Sequence, residues 1–105
     1  MTRMIRAKDL AHFQSEIATG TILLNFSADR GQQCRDATRM LAELAAEKAG
    51  RVKVISVDVD KKTFAPLIDT YRVNGIPTVI LLKEGEVSAK LLGNILKPKL
   101  LSLLA

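Results

Sequence analysis

The sequence predicts an α/β domain with a mixed central sheet of four to five strands and helices on both faces. Three patterns lead to this class. A short, uniformly apolar run, Thr21 to Phe26, reads as a central strand covered on both sides. Helix-period and strand segments alternate through the first two thirds of the chain, which implies parallel strands with right-handed crossovers. Two strand-like runs then meet at Glu84-Gly85 and are followed by a helix, which implies a hairpin with a helix packed on it.

Each element follows in order. Lys8 to Thr19 reads as a first helix, with Leu10, Phe13, Ile17 and Ala18 near helical spacing and Gly20 as its stop. After the strand at Thr21 to Phe26, a polar loop from Ser27 to Gln33 leads into a second helix, from about Gln33 to Lys48. Its apolar face is Ala37, Met40, Leu41, Leu44 and Ala45, and Gly50 closes it. Arg51 to Val59 is the next strand. A third helix runs from about Thr63 to Tyr71, with Pro66 in the first turn, where no amide hydrogen bond is lost. Val79 to Lys83 and Glu86 to Leu92 form the hairpin. Gly93-Asn94 breaks the chain, and Pro98 to Leu104 closes it as a helix with Leu100, Leu101 and Leu104 on one face. With a short initial strand, the order is (β)αβαβαββα.

The length of 105 residues suits one domain spanning 1–105, and 48% apolar content suffices for one core. No apolar stretch is long enough to span a bilayer. The basic amino terminus, Met1 to Arg6, is not followed by the apolar segment of a secretory signal, so none is expected. The charge is +5, from 16 basic and 11 acidic residues, but the basic residues are scattered and no aromatic residues interleave them. The surface therefore reads as solvated, with neither nucleic acid nor membrane as a partner. Cys34 is the single cysteine, so no intramolecular disulfide can form, and a cytoplasmic location is expected. His12 has no partner at metal-ligand spacing and reads as an ordinary helix residue. No metal or cofactor is expected.

The run Thr21 to Arg35, TILLNFSADRGQQCR, the segment Tyr71 to Thr78, YRVNGIPT, the turn Lys83-Glu84-Gly85-Glu86 and Gly93 together resemble the thioredoxin family over nearly the whole chain. The resemblance implies the thioredoxin fold and a cis bond at Ile76-Pro77. It also implies a peptide groove made by Arg30, Gly31, Gln32, Gly75, Ile76, Pro77 and Gly93, with Gln33 in the same loop. The family's Cys-Gly-Pro-Cys is matched by Gly31-Gln32-Gln33-Cys34, so the position of the attacking cysteine is glycine and only the resolving position keeps sulfur. The family's buried Asp is matched by Asn25, its partner Lys by Ser56, and its two flanking tryptophans by Ser27 and Arg30.

Thiol–disulfide exchange needs a thiolate to attack and a second thiol to release the mixed disulfide. The resemblance therefore implies a thioredoxin-like protein that is redox-inactive as a dithiol enzyme and binds peptides or proteins through the surviving groove. Its partners would be unfolded or extended segments, or one specific protein. The run Ser-Ala-Asp-Arg-Gly-Gln-Gln-Cys, residues 27–34, is similar to that of bacterial thioredoxin-like holdase chaperones, which also lack the first cysteine. A second reading makes Cys34 the catalytic group of a monothiol redox protein, acting in protein thiol–disulfide exchange or glutathione chemistry. Against it stands the reading of Cys34 as a small buried residue in the first turn of its helix. A third reading is an assembly subunit that binds through another surface.

Overall fold

The computed structural model describes residues 4–105; the first three residues, part of the basic amino-terminal stretch, lie outside the described residues. The elements are β1 (Ile5–Arg6), α1 (Leu10–Glu16), β2 (Thr21–Ser27), α2 (Gln32–Glu47), β3 (Lys53–Asp58), a 3-10 turn (Lys62–Phe64), α3 (Ala65–Thr70), β4 (Thr78–Lys83), β5 (Glu86–Leu92) and α4 (Lys97–Leu104). The strands form one five-stranded sheet in the order β1-β3-β2-β4-β5. β1 and β2 run parallel to β3, while β4 is antiparallel to both β2 and β5.

The alternation of side chains along each strand divides the core in two. Ile22, Leu24 and Phe26 of β2 face a cluster that includes Phe13 of α1 and Leu67 of α3. Leu23 of β2 faces the opposite cluster, with Leu41 and Leu44 of α2 and Leu100 of α4. From Ile22 to Ser27 every β2 residue is buried, as a central strand with helices on both sides requires. Tyr71 closes one end of the first cluster, with its ring 6.2 Å from Phe13 and 5.8 Å from Phe26, centroid to centroid.

Several element limits differ from the sequence-based expectation. α1 covers Leu10–Glu16 and not Lys8 to Thr19, because the Asp9 carboxylate caps it by accepting from the His12 amide at 2.8 Å, and Ile17 already ends it. Ala18, expected on its apolar face, is exposed. β3 starts at Lys53 and not Arg51, because the Arg51 and Val52 amides donate to the Lys48 carbonyl at 2.9 and 3.0 Å and are spent on closing α2. The third helical segment opens as a tight 3-10 turn before α3, with Pro66 in the first turn of α3. α2 begins one residue earlier than expected, at Gln32, with Gly31 as its N-cap.

Candidate functional site

The register gathers three loops at one end of the sheet. Phe26, near the end of β2, pairs with Thr78 at the start of β4, and Thr78 pairs with Leu92 at the end of β5. The loop after β2 that holds Arg30 and Gly31, the segment Gly75-Ile76-Pro77 before β4, and Gly93 after β5 therefore emerge at the same edge of the molecule. The Ile76-Pro77 bond is cis. The segment is fixed by Thr78 Oγ1 donating to the Gly75 carbonyl at 2.6 Å and by the Gly93 amide donating to the Pro77 carbonyl at 2.9 Å. Pro77 is buried, while Gly75 and Ile76 are half-buried. A Cβ at Gly75 would come within 3.3 Å of Leu92 Cδ1, a tight contact that the exposed Leu92 side chain would have to relieve by shifting. Leu92 itself is 60% exposed and adds apolar surface at this edge.

Of the groove residues expected from the sequence, two on the α2 side have side chains engaged locally. Arg30 is held by Asp60 in a two-pronged pair, Nε to Oδ2 at 3.2 Å and an Nη to Oδ1 at 3.0 Å. That hydrogen-bonded pairing raises the guanidinium above its ordinary value and holds the Asp60 carboxyl below its own. Gln32 donates to Asp36 at 2.7 Å and accepts from Arg35 at 3.1 Å, contacts along its own helix face. Gly31 carries α2's N-cap at φ +82° and ψ 143°, a conformation that L side chains rarely adopt. Gln33 is exposed. Cys34 follows as the third residue of α2, a free thiol with only 3% of its surface exposed.

Beneath Cys34, on the α2 face of the sheet, the polar residues are neutral. Asn25 is fully buried and donates through Nδ2 to Thr38 Oγ1 at 3.2 Å and to Ser56 Oγ at 3.5 Å. Its Oδ1, and the hydroxyl of Ser27, find no partner among the described residues. Beside them lies a cleft of ≈ 540 Å³ between α2 and the strands β1 and β3, bordered by Cys34, Ser27, Thr38 and Ser56. Arg6, Arg39 and Lys61 also border it. These three were not singled out from the sequence, where they stand far apart. The available signal was the small size of Ser27 and Ser56, which leaves room beside α2. Among the described residues no three His, Cys, Asp or Glu side chains converge as metal ligands would. No helix of the described residues is long and apolar enough to cross a membrane.

A five-stranded mixed sheet in this order, flanked by four helices, with a buried cysteine in the first turn of the helix after the central strand, defines a thioredoxin fold. The germline-specific thioredoxin Deadhead of Drosophila melanogaster superimposes with a TM-score of 0.83 at 22% identity, over 95% of each chain. The thioredoxin family model matches residues 4–105, and the chain belongs to the thioredoxin family. A thioredoxin of Haemophilus influenzae is 34% identical over 102 residues, spanning 95% of this chain and 92% of that protein. A thioredoxin of Chlamydia pneumoniae is 34% identical over 90 residues, spanning 86% of this chain and 85% of that protein.

Proposed function

We propose that this chain is a thioredoxin-family protein that binds an extended protein segment at the edge formed by Gly31, Gln32, Gly75, Ile76, Pro77 and Gly93, and that it runs no dithiol cycle of its own. The observation that carries this reading is the sulfur inventory. The chain has one thiol, Cys34, buried in the first turn of α2, and the N-cap residue before that turn is Gly31, which has nothing to ionise. A dithiol cycle needs an attacking thiolate, a mixed disulfide and a second thiol that displaces the product. In this chain a mixed disulfide at Cys34 would persist until an outside thiol attacked it. Half-buried Ile76 and exposed Leu92 offer an extended segment a strand-like edge and an apolar contact. A single thiol without a disulfide supports a reducing, cytoplasmic setting.

Two measurements test this reading together. The protein should show no dithiothreitol-dependent insulin reduction above background, and it should slow aggregation of a denatured client at equimolar ratio, an effect that Ile76→Asp should weaken. Robust insulin turnover that disappears in Cys34→Ser would overturn the first half. Unchanged client aggregation would remove the chaperone form of the second and leave one dedicated partner as the ligand.

A monothiol role for Cys34 is the second reading, and the curated relatives are named thioredoxins. The observation in its favour is that Cys34 borders the cleft together with Arg35 and Arg39. Alkylation rate against pH discriminates the two. A midpoint well below the free-cysteine value of about 8.5 favours the monothiol role, and one at or above it favours the buried residue.

A further inference from the structure

We propose that the cleft between α2 and strands β1 and β3 is a binding site for a small phosphate-bearing molecule. Its volume of ≈ 540 Å³ lies within the range of about 300–1,000 Å³ common for small-molecule sites. Arg6, Arg35, Arg39 and Lys61 border it against two acids, Asp29 and Asp58, an excess of two positive charges. Among the described residues none of these four cations is in an ion pair. Elsewhere the chain does pair its cations where they meet acids, as at Arg30–Asp60 and Lys53–Glu16.

The floor of the cleft supplies hydroxyl donors. Across the sheet Arg6 pairs with Ser56, and Ser56 with Asn25, so these side chains form one row on the α2 face. The Asn25 amide donates to the hydroxyl oxygens of both Thr38 and Ser56. The Asn25 amide and these two hydroxyls form one neutral hydrogen-bonded set on the floor of the cleft. Ser27, 5% exposed and also on the border, has a hydroxyl with no partner of any kind among the described residues. That oxygen is closed off from the cleft space, so the half-buried Thr38 and Ser56 are the hydroxyl residues on its floor. Hydroxyl groups beneath a rim of guanidinium groups match a phosphate ester, whose dianion presents only acceptors and which arginine grips through paired N–H groups. Asp29 and Asp58 accept from hydroxyl or amine groups on the remainder of the molecule. This site is distinct from the Ile76–Pro77 edge, so its fate is independent of the peptide-binding reading.

The test is a nuclear magnetic resonance titration of the full chain with inorganic phosphate, with ribose 5-phosphate, and with sodium chloride at matched ionic strength. Saturable shifts at the Ser27, Thr38 and Ser56 amides are expected with both phosphates and not with chloride. Tighter binding of the ester identifies a phosphorylated metabolite as the ligand class. Equal binding identifies free phosphate, and both outcomes support the site. Arg39→Met should weaken binding about tenfold, the scale of one charge-assisted contact. Ser56→Ala should weaken it about fivefold. Lys99→Met, which removes the same charge from an exposed position on α4, should leave the affinity unchanged. Absence of saturable shifts, shifts equal to those in chloride, or equal losses in Arg39→Met and Lys99→Met would each overturn the proposal.

Discussion

Asn25 has none of its surface exposed, and its amide bonds only to the neutral oxygens of Thr38 and Ser56. Among the described residues no cation is bonded to it, so a carboxylate at this position would be buried without a directly paired counter-charge. Desolvation disfavours the charged form and raises the folded-state pKa of an aspartate there above the unfolded value of about 3.9. The linkage sign follows. The unfolded state releases the proton at lower pH than the folded state, so Asn25→Asp loses stability as pH rises through the unfolded value, until the folded pKa is reached. In urea unfolding, the gap between parent and Asn25→Asp should be smallest near pH 4 and widen by about 1.4 kcal/mol per pH unit above it. A gap that stays constant from pH 4 to pH 7 would mean that the new carboxylate has found a cation or water. The same reasoning explains why the parent can keep Asn25 buried at neutral pH: it is uncharged and two of its bonds are made, at the cost of one unpaired oxygen.

At the scale of elements, the end of α1 is tied to the start of β3 by one lysine. Lys53 Nζ reaches the Glu16 carboxylate at 2.8 Å and the Glu16 carbonyl at 3.1 Å, so it both pairs a charge and caps an open helix end. The hydrogen bond from Lys53 holds the Glu16 carboxyl below its ordinary value. A depressed carboxyl contributes stability above its unfolded pKa, and the contribution is lost as pH falls through the folded one. The two side chains are 38% and 27% exposed, so solvent screens the pair. Glu16→Gln should therefore cost only about 0.5–1 kcal/mol at pH 7, measured by urea unfolding, and should match the parent near pH 3. A difference that persists at pH 3 would place the effect in packing and not in charge. This tie was not legible in the sequence, because Glu16 and Lys53 lie on elements that meet only through the fold. The elements themselves were legible where burial and turn chemistry act locally. The unbroken apolar run of β2 and the Glu84-Gly85 reversal, with φ of +50° and +82°, are examples. Limits set by a remote or capping bond were not: Asp9 shortened α1, and the Lys48 carbonyl delayed β3. The cleft was illegible for the same reason. Arg6, Ser27, Arg39 and Ser56 sit on four elements, and only the order β1-β3-β2 beneath α2 brings them together.

Taken whole, the molecule places two surfaces around the amino-terminal half of α2: the edge at Ile76-Pro77 and the cleft on the helix flank. Cys34 lies buried next to both the N-cap and the cleft. Exchange chemistry at this point needs an attacking thiol at the N-cap, a resolving thiol one turn on, and a proton acceptor from the sheet, three contributions from one helix and one strand. Gly31→Cys supplies only the first. A Cβ at Gly31 meets nothing within 4 Å, so there is room for the side chain. The obstacle is the backbone, because φ +82° with ψ 143° is close to a region that only glycine occupies without strain. The reduced variant should lose about 1–3 kcal/mol in urea unfolding, the cost of one such strained residue or of rebuilding the N-cap. The new thiol should titrate below about 8.5, because the helix amino terminus stabilises a thiolate. Insulin reduction should rise above the parent's background, yet remain slow, since Asn25 cannot take the proton of Cys34. A variant as stable as the parent would show that the loop relaxes freely around residue 31. Fast turnover in Gly31→Cys alone would show that the neutral Asn25, Ser56 and Thr38 set is no barrier, and that the missing thiol is the whole of what separates this chain from a working dithiol enzyme.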